Sequence, residues 1–283
     1  MKKLFVLIPI FFSFITLFAQ NATIETIPYA YFPFGQPLRL VKQSDRAPKR
    51  VFVLGVYGSA VHAKLYSPDG RFLYGALAVA SEPEIFWNGE NADEIISQIS
   101  VPPEAGYLLP ADEIYNGSSG RALDELYLAP LSLSRADAWL CDLVPHFFMN
   151  PNQSTAIETH YTPLCERYNL PRASIPEKPV NLIDECRRNE ILAELEESNA
   201  DTIILLGDDP IYWFLSFVSD CKKTRLAEFG IATYGSPVSV NINGKTYLVI
   251  PLAHVRQGGA LGQHSDFWER RHKNWVENMN RQK

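Results

Sequence analysis

The sequence has four cysteines, Cys141, Cys165, Cys186 and Cys221, and no two of them form a Cys-x-x-Cys pair. That spacing argues against structural zinc and against an iron–sulfur cluster. Four cysteines in 283 residues also do not make a disulfide scaffold. There is no Walker A lysine motif and no Gly-x-Gly-x-x-Gly opening a helix. There is no Gly-x-Ser-x-Gly elbow either, because Tyr57 and Val61 stand where glycines would flank Ser59. Repeats of roughly 20–50 residues and low-complexity tracts are absent. Cations are not in excess: 26 Lys and Arg face 32 Asp and Glu. That balance argues against a protein that coats DNA by charge alone. From Arg256 to Lys283, however, six basic residues outnumber three acidic ones. This stretch reads either as a local basic face or as a solvated helix face.

What is present is enough apolar sequence for a sizeable core. At 46% hydrophobic, the chain suits one domain, or one domain with appendages. Residues 1–19 read as a signal peptide or N-terminal anchor: Lys2 and Lys3 precede an apolar run from Leu4 to Ala19. Such a run is short for a membrane span and suits a secretory leader. Cleavage after Ala19 would put Leu17 at the −3 position, larger than the small residue preferred there, so an uncleaved anchor stays open. A true leader implies a periplasmic or secreted protein, and otherwise a cytoplasmic one. Residues 20–49, with Pro28, Pro33, Pro37 and Pro48, read as an extended arm packed on a domain of residues 50–283.

Within that domain, Val51–Gly55, Ala138–Val144 and Thr202–Leu206 are continuous apolar runs, the signature of strands buried on both faces. Phe72–Ala80 reads as a further strand. Helical spacing marks Ala92–Ile99, Gly120–Leu128, Ser154–Tyr168, Asp184–Asn199 and Asp266–Met279. Alternating residues flank Asn243-Gly244 within Val238–Ile250, which predicts a hairpin with a type I′ turn. Alternation of strands and helices predicts a mostly parallel sheet between helical layers. Cys141, Trp268 and Trp275 read as core. His254, His264 and His272 are too loosely spaced to argue a metal site.

Several apolar runs stop at Gly, Asp or His, which is how α/β proteins deliver reactive groups to the carboxyl ends of strands. The segments in order are Val51-Phe-Val-Leu-Gly-Val-Tyr-Gly-Ser59, Tyr115-Asn-Gly-Ser-Ser-Gly-Arg-Ala-Leu-Asp-Glu-Leu126, Trp139-Leu-Cys-Asp-Leu-Val-Pro145, Thr202-Ile-Ile-Leu-Leu-Gly207 and Val249-Ile-Pro-Leu-Ala-His254. This series resembles the uracil-DNA glycosylase superfamily over roughly Val51 to Val276. The resemblance implies a three-layer α/β/α sandwich with a mostly parallel central sheet, a hydrolase with no cofactor or metal, and a DNA or nucleotide substrate. It implies cleavage of the N-glycosidic bond of a base flipped out of the stack. The site must then stabilise negative charge on the leaving base and position a water. One branch of the superfamily carries an iron–sulfur cluster; no cysteine precedes Cys141 here. The protein is expected to be a monomer.

By the same resemblance, His254 donates a hydrogen bond to the leaving base, although a strand-end histidine can equally bond a neighbouring carbonyl. The loop from Val255 to Gln263 corresponds to the minor-groove wedge, with Arg256 and Gln257 as DNA contacts, and Val255 stands where the family has proline. Tyr115 matches the aromatic that stacks on the base; read alone it is a rim or packing residue. Gly117 and Ser118, in the Gly-Ser-Ser-Gly run, are expected to cradle the substrate through amides or simply to make a turn. Asp142 replaces the usual Asn, and an ionised Asp only accepts hydrogen bonds. It either reads or protonates a base other than plain uracil, or it is a buried Asp that caps a helix or pairs with an arginine such as Arg121. Gly55, Val56, Tyr57, Gly58 and Ser59 line the sugar side. The family's water-positioning Asp, Asn or Glu is missing there, which leaves Ser59, His62 or Asp142 as substitutes. Two other readings stay open: a non-catalytic nucleic-acid or nucleotide binder with this fold, and an exported α/β protein of unrelated small-molecule function.

Overall fold

A computed structural model describes residues 25–262 and 264–283. The expected leader therefore lies outside the described residues. Among these, no helix is long and apolar enough to cross a membrane.

The apolar runs form the central sheet. Its strands are β3 (Val51–Tyr57), β7 (Ala138–Val144), β8 (Thr202–Leu206), β9 (Val238–Ile242) and β10 (Lys245–Leu252), in the spatial order β7-β3-β8-β10-β9. The first four run parallel, and only the edge strand β9 is antiparallel. The β9–β10 turn has Asn243 at φ 51° and Gly244 at φ 85°, as the Asn-Gly pair predicts. Pro251 is tolerated in β10 because the β9 pairing has already ended at Val249.

Period-2 alternation divides the buried residues between two faces. Phe52, Leu54, Trp139, Ile203 and Leu205 face Ile191 and Leu195 of the helix Glu185–Glu197, and Ile211 and Phe214 of the helix at 208–218. Val53, Leu140, Ile204 and Leu252 face Leu123 and Tyr127 of the helix at 118–128, and Trp275 of the helix Asp266–Arg281. Helices thus cover both sheet faces, which explains strands that are apolar throughout. The expected helix from Ser154 begins slightly earlier, at Pro151, where Asn150 caps it by accepting from the Gln153 N–H.

A second sheet departs from the alternating pattern expected of the chain. Strands β4 (Ala60–Tyr66), β5 (Phe72–Ser81) and β6 (Tyr107–Pro110) form an antiparallel layer in the order β5-β4-β6. Val61, Ala63 and Leu65 of β4 are buried, while His62, Lys64 and Tyr66 between them are partly exposed. This half-buried alternation suits an antiparallel strand. The segment at 25–49 is not simply extended: β1 (Thr26–Tyr31) and β2 (Pro37–Arg39) pair antiparallel, and Phe32 and Leu38 are buried against Ala60, Ala78 and Phe147. The Val41 N–H donates to the Pro145 carbonyl at 2.7 Å, tying this arm to the end of β7.

Candidate active site

The carboxyl ends of β3, β7, β8 and β10 bring their terminal residues to one edge of the sheet. The parallel register sets Gly55 opposite Asp142. A Cβ on Gly55 would lie 2.3 Å from Asp142 Oδ1 and 2.6 Å from Phe86 Cζ. Only glycine leaves room for that carboxylate and that ring to meet over the strand. Asp142 is 4% exposed, and its Oδ1 has no hydrogen-bond partner. Its backbone carbonyl accepts from Arg187 Nη2 at 2.8 Å. The expected pairing with Arg121 does not occur. That guanidinium instead donates to the carbonyls of Asn88, Asn116 and Glu113, because the 88–89 and 113–116 segments close around it.

A second buried carboxyl lies at the far end of the Gly55–Ser59 turn. Glu82, just after β5, is 3% exposed and accepts the Ser59 N–H at 2.8 Å. Gly58 is pressed close, since a Cβ there would lie 3.4 Å from Glu82 Oε1 and 3.2 Å from the His146 carbonyl carbon. Burial pushes Asp142 up to about 7; Arg187 opposes the rise and Glu194 adds to it. Burial, with the Asp142 charge, pushes Glu82 up to about 8 against the N–H groups of Ser59 and Trp87.

Phe86 completes this corner. It holds a left-handed backbone (φ 52°), rare for a bulky residue. Arg135 Nη2 donates to its carbonyl. Gly120 permits the helix at 118–128 to press on the same segment: a Cβ there would meet the Phe86 and Trp87 carbonyls at 2.2 and 2.3 Å. The Gly-Ser-Ser-Gly turn therefore supports Phe86 by close approach. Gly117, at φ 78°, packs against the Asn88 backbone in the same way, and Ser118 beside it is half-buried.

His254 follows β10 as the residue before a short helix, Val255–Gly258. Its Nδ1 accepts the Arg256 N–H at 3.3 Å, which leaves the proton of a neutral ring on Nε2. Burial, then Arg256 and Lys178, lower its pKa to about 4. Gly207, at φ 96°, makes room for it, since a Cβ would sit 3.1 Å from His254 Cβ. Two tyrosines clamp the preceding residue: Tyr127 Oη donates to the Ala253 carbonyl at 2.8 Å, and the Ala253 N–H donates to Tyr234 Oη at 2.9 Å.

Lys178 links His254 to the β3 turn. Its ammonium lies 5.6 Å over the Tyr57 ring and 3.4 Å from Asp209, and its charge reaches His254. Tyr57 is partly exposed and meets Phe148 edge-on, and Phe148 in turn meets His146. A cleft of about 560 Å³ opens beyond His146, lined by Asn181, Arg187, Arg188, Trp213 and Phe217.

Of the residues singled out from the sequence, Gly55 and Asp142 touch, Gly58 and Ser59 cover Glu82, and Tyr57 shares Lys178 with His254. Val56 turns the other way, into the core around Leu54 and Phe148. Tyr115 is half exposed over the second sheet, near Tyr74. Its neighbour Asn116 bonds the His62 N–H and carbonyl at 2.8 and 2.9 Å. His62 itself has an unpartnered Nδ1, and burial lowers its pKa to about 4. Arg256 is exposed near Gly262, whereas Gln257 is occupied by the Ser265 N–H.

Glu82, Phe86, His146 and Lys178 were not among the sequence candidates. For Glu82 the sequence does carry a signal: the apolar run Leu77–Ala80 ends in Ser81-Glu82, the same strand-then-acid pattern that marks Asp142. All four cysteines are free. One surface grouping, His264, Asp266 and Glu269, brings three potential ligand atoms within 4.8 Å of one another at the start of the helix Asp266–Arg281. No family model matches the chain, and no curated protein matches it.

Proposed function

We propose that this protein hydrolyses the N-glycosidic bond of a base in DNA or a nucleotide, in the manner of the uracil-DNA glycosylase superfamily, on a base other than plain uracil. The observation that carries this reading is the state of His254. A neutral imidazole with its proton on Nε2, anchored at a strand end, suits donation to a base oxygen or nitrogen that gains charge as the bond breaks. Neutrality at physiological pH follows from its lowered pKa. Phe86 supplies a ring face beside Asp142, and a protonated Asp142 can donate where an ionised one cannot. Export, if residues 1–19 act as a leader, would make extracellular nucleic acid the substrate.

The test is base release from oligonucleotides carrying a panel of modified bases, read as alkali-labile abasic sites. Wild-type release that is lost in His254→Ala supports the reading. Release undiminished in that variant sinks it. A non-catalytic binder is the second reading, favoured by the Gly55–Ser59 turn, where Val56 is buried and no side-chain carboxylate is offered. It expects salt-sensitive DNA affinity without base release.

A further inference from the structure

We propose that the cleft beyond His146 holds an unpaired nucleotide of a single-stranded nucleic acid, its phosphate on Arg188 and its base against Trp213. The inference rests on the nucleic-acid reading above, catalytic or not, and deepens it by naming the form of the substrate: a single strand rather than a duplex.

Asp184 starts the helix Glu185–Glu197 by accepting the Arg187 N–H at 2.9 Å, which sets two consecutive arginines on the first turn of the helix, at the cleft. Their side chains then part. Arg187 turns inward: it donates to the Leu143 and Asp142 carbonyls at 3.0 and 2.8 Å and meets Glu190 and Glu194. The Arg188 side chain makes no hydrogen bond or ion pair among the described residues, and its guanidinium lies 4.4 Å over the Phe217 ring. A guanidinium stacked on a ring keeps its N–H edges open, the geometry that takes a phosphate through two parallel hydrogen bonds. Asp184, the one carboxylate on the described lining, is engaged at the helix start. The cleft therefore presents an unspent positive charge, complementary to a phosphate.

The opposite wall is aromatic. In the helix at 208–218, Ile211, Phe214 and Leu215 go to the core, while Trp213 and Phe217 line the cleft. Phe217 is 55% exposed, and Tyr212 is 45% exposed with its ring 4.9 Å from Trp213 and 6.4 Å from Phe217. Neighbouring aromatics left to water, with a cation held over one of them, suit a base and its phosphate together. Asn181 adds an amide at the rim. His146 donates from Nδ1 to the Phe147 carbonyl at 3.0 Å, so its neutral ring keeps Nε2 as an acceptor. A base within a duplex has both faces stacked and its edge paired, so it reaches none of these groups; an unpaired one does. A row of rings leads from the cleft to the sheet edge. From His146, Phe148 and Tyr57 follow at 4.6 and 5.5 Å, and the Lys178 charge over Tyr57 reaches His254. A strand along this row brings a further nucleotide towards His254.

Fluorescence anisotropy on the full chain tests this with a short labelled single strand of mixed sequence, the same strand annealed to its complement, and poly-glutamate of matched length, with deoxynucleoside monophosphates as competitors. Wild type is expected to hold the single strand about tenfold or more tighter than the duplex. Arg188→Gln is expected to make the slope of log affinity against log salt shallower by about 0.7, the share of one phosphate on a single strand. Trp213→Ala is expected to weaken binding by about tenfold with the salt slope unchanged, and Trp213→Phe to recover part of the loss. Should Trp213→Ala fail to fold, Arg188→Gln carries the test, since no bond of the fold depends on that guanidinium. Duplex or poly-glutamate held as tightly as the single strand, or a salt slope unchanged in Arg188→Gln, overturns the inference. So does a mononucleotide that competes at the strand's own affinity, which makes the ligand a free nucleotide. Base release separates this inference from the glycosidase reading. Release from duplex probes at wild-type KM in Arg188→Gln overturns the inference and leaves the glycosidase reading standing. Strand binding that depends on Arg188, without base release from any probe, supports the cleft and overturns the glycosidase reading.

Discussion

Two histidines near Ala253, the buried His272 and the partly exposed His254, invite comparison. His272, on the helix Asp266–Arg281, bonds Tyr234 Oη through Nδ1 at 2.7 Å and the Leu126 carbonyl through Nε2 at 2.9 Å. Its ring stacks on Tyr127 at 4.0 Å and lies against Trp275. His254 uses only Nδ1, on its own helix start. Burial lowers both to a pKa of about 4. A shifted pKa therefore does not distinguish them; the unspent Nε2–H does. His272 holds the framework, and through Tyr127 and Tyr234 that framework grips the backbone on which His254 rides. Two carboxyls differ in a related way: Asp124 is met by the Arg135 guanidinium at 2.8 Å, whereas Arg187 near Asp142 donates to its backbone carbonyl.

The largest effect should come from separating the two histidines. His254→Ala is expected to reduce base release by about 100-fold or more while moving Tm little. His272→Ala should lower stability by about 2–4 kcal/mol, because it empties a stacked core position and strands the Tyr234 hydroxyl and the Leu126 carbonyl. Chemical denaturation alongside abasic-site assays measures both, and equal stability losses in the two variants would erase the distinction.

Gly55→Ala comes next. Its Cβ must displace Asp142 Oδ1 and the Phe86 ring, so a loss of about 1–3 kcal/mol is expected, together with a shift in the Asp142 titration. Gly244→Ala meets nothing within 4 Å but sits at φ 85°, so it should cost only about 1 kcal/mol and leave the site unaltered.

The pH dependence of stability sharpens the comparison further. His62, His254 and His272 have folded pKa values near 4, below the ordinary 6.5. Their contribution is complete above about pH 6.5 and is lost as pH falls towards about 4. The buried carboxyls Asp142 and Glu82 are raised, to about 7 and about 8. Their contribution is present below the ordinary carboxylate range and is lost as pH rises through those values. Tm is therefore expected to fall on both sides of a maximum near pH 6.5. Glu82→Gln should flatten the alkaline limb, and a limb that is unchanged in this variant would contradict the raised Glu82. The smallest effect is expected at Tyr115→Phe, half exposed on the second sheet, with stability unchanged within about 0.5 kcal/mol. A matched comparison with Phe86→Leu asks which ring meets the base: a tenfold loss of base release at Tyr115→Ala but not at Phe86→Leu would return the stacking role to Tyr115.

The strands of the central sheet were legible because burial on both faces leaves a continuous apolar run. Asp142 and His254 were singled out by the resemblance of the motifs around those runs to the glycosylase superfamily. The second sheet was harder to see. Its strand β4 buries Ala60, Val61, Ala63 and Leu65, and the histidine and lysine among them break the run that marks a fully buried strand. Phe86 was hidden for another reason. Its place depends on Gly120 of a later helix and on the Arg135 guanidinium holding its carbonyl, neither of which leaves a mark on its immediate neighbours.

The amino-acid order by itself determined which segments become core strands, where the Asn243-Gly244 turn reverses the chain, and that a glycine, an aspartate and a histidine stand at strand ends. These are local consequences of hydrophobic periodicity and backbone preference. Only the tertiary structure decided that Glu82 reaches the Gly58–Ser59 turn, that Phe86 rather than Tyr115 lies over Gly55 beside Asp142, and that Val56 belongs to the core. Those outcomes depend on strand register and on close approach at Gly55, Gly58 and Gly120, where a single absent Cβ lets distant segments touch.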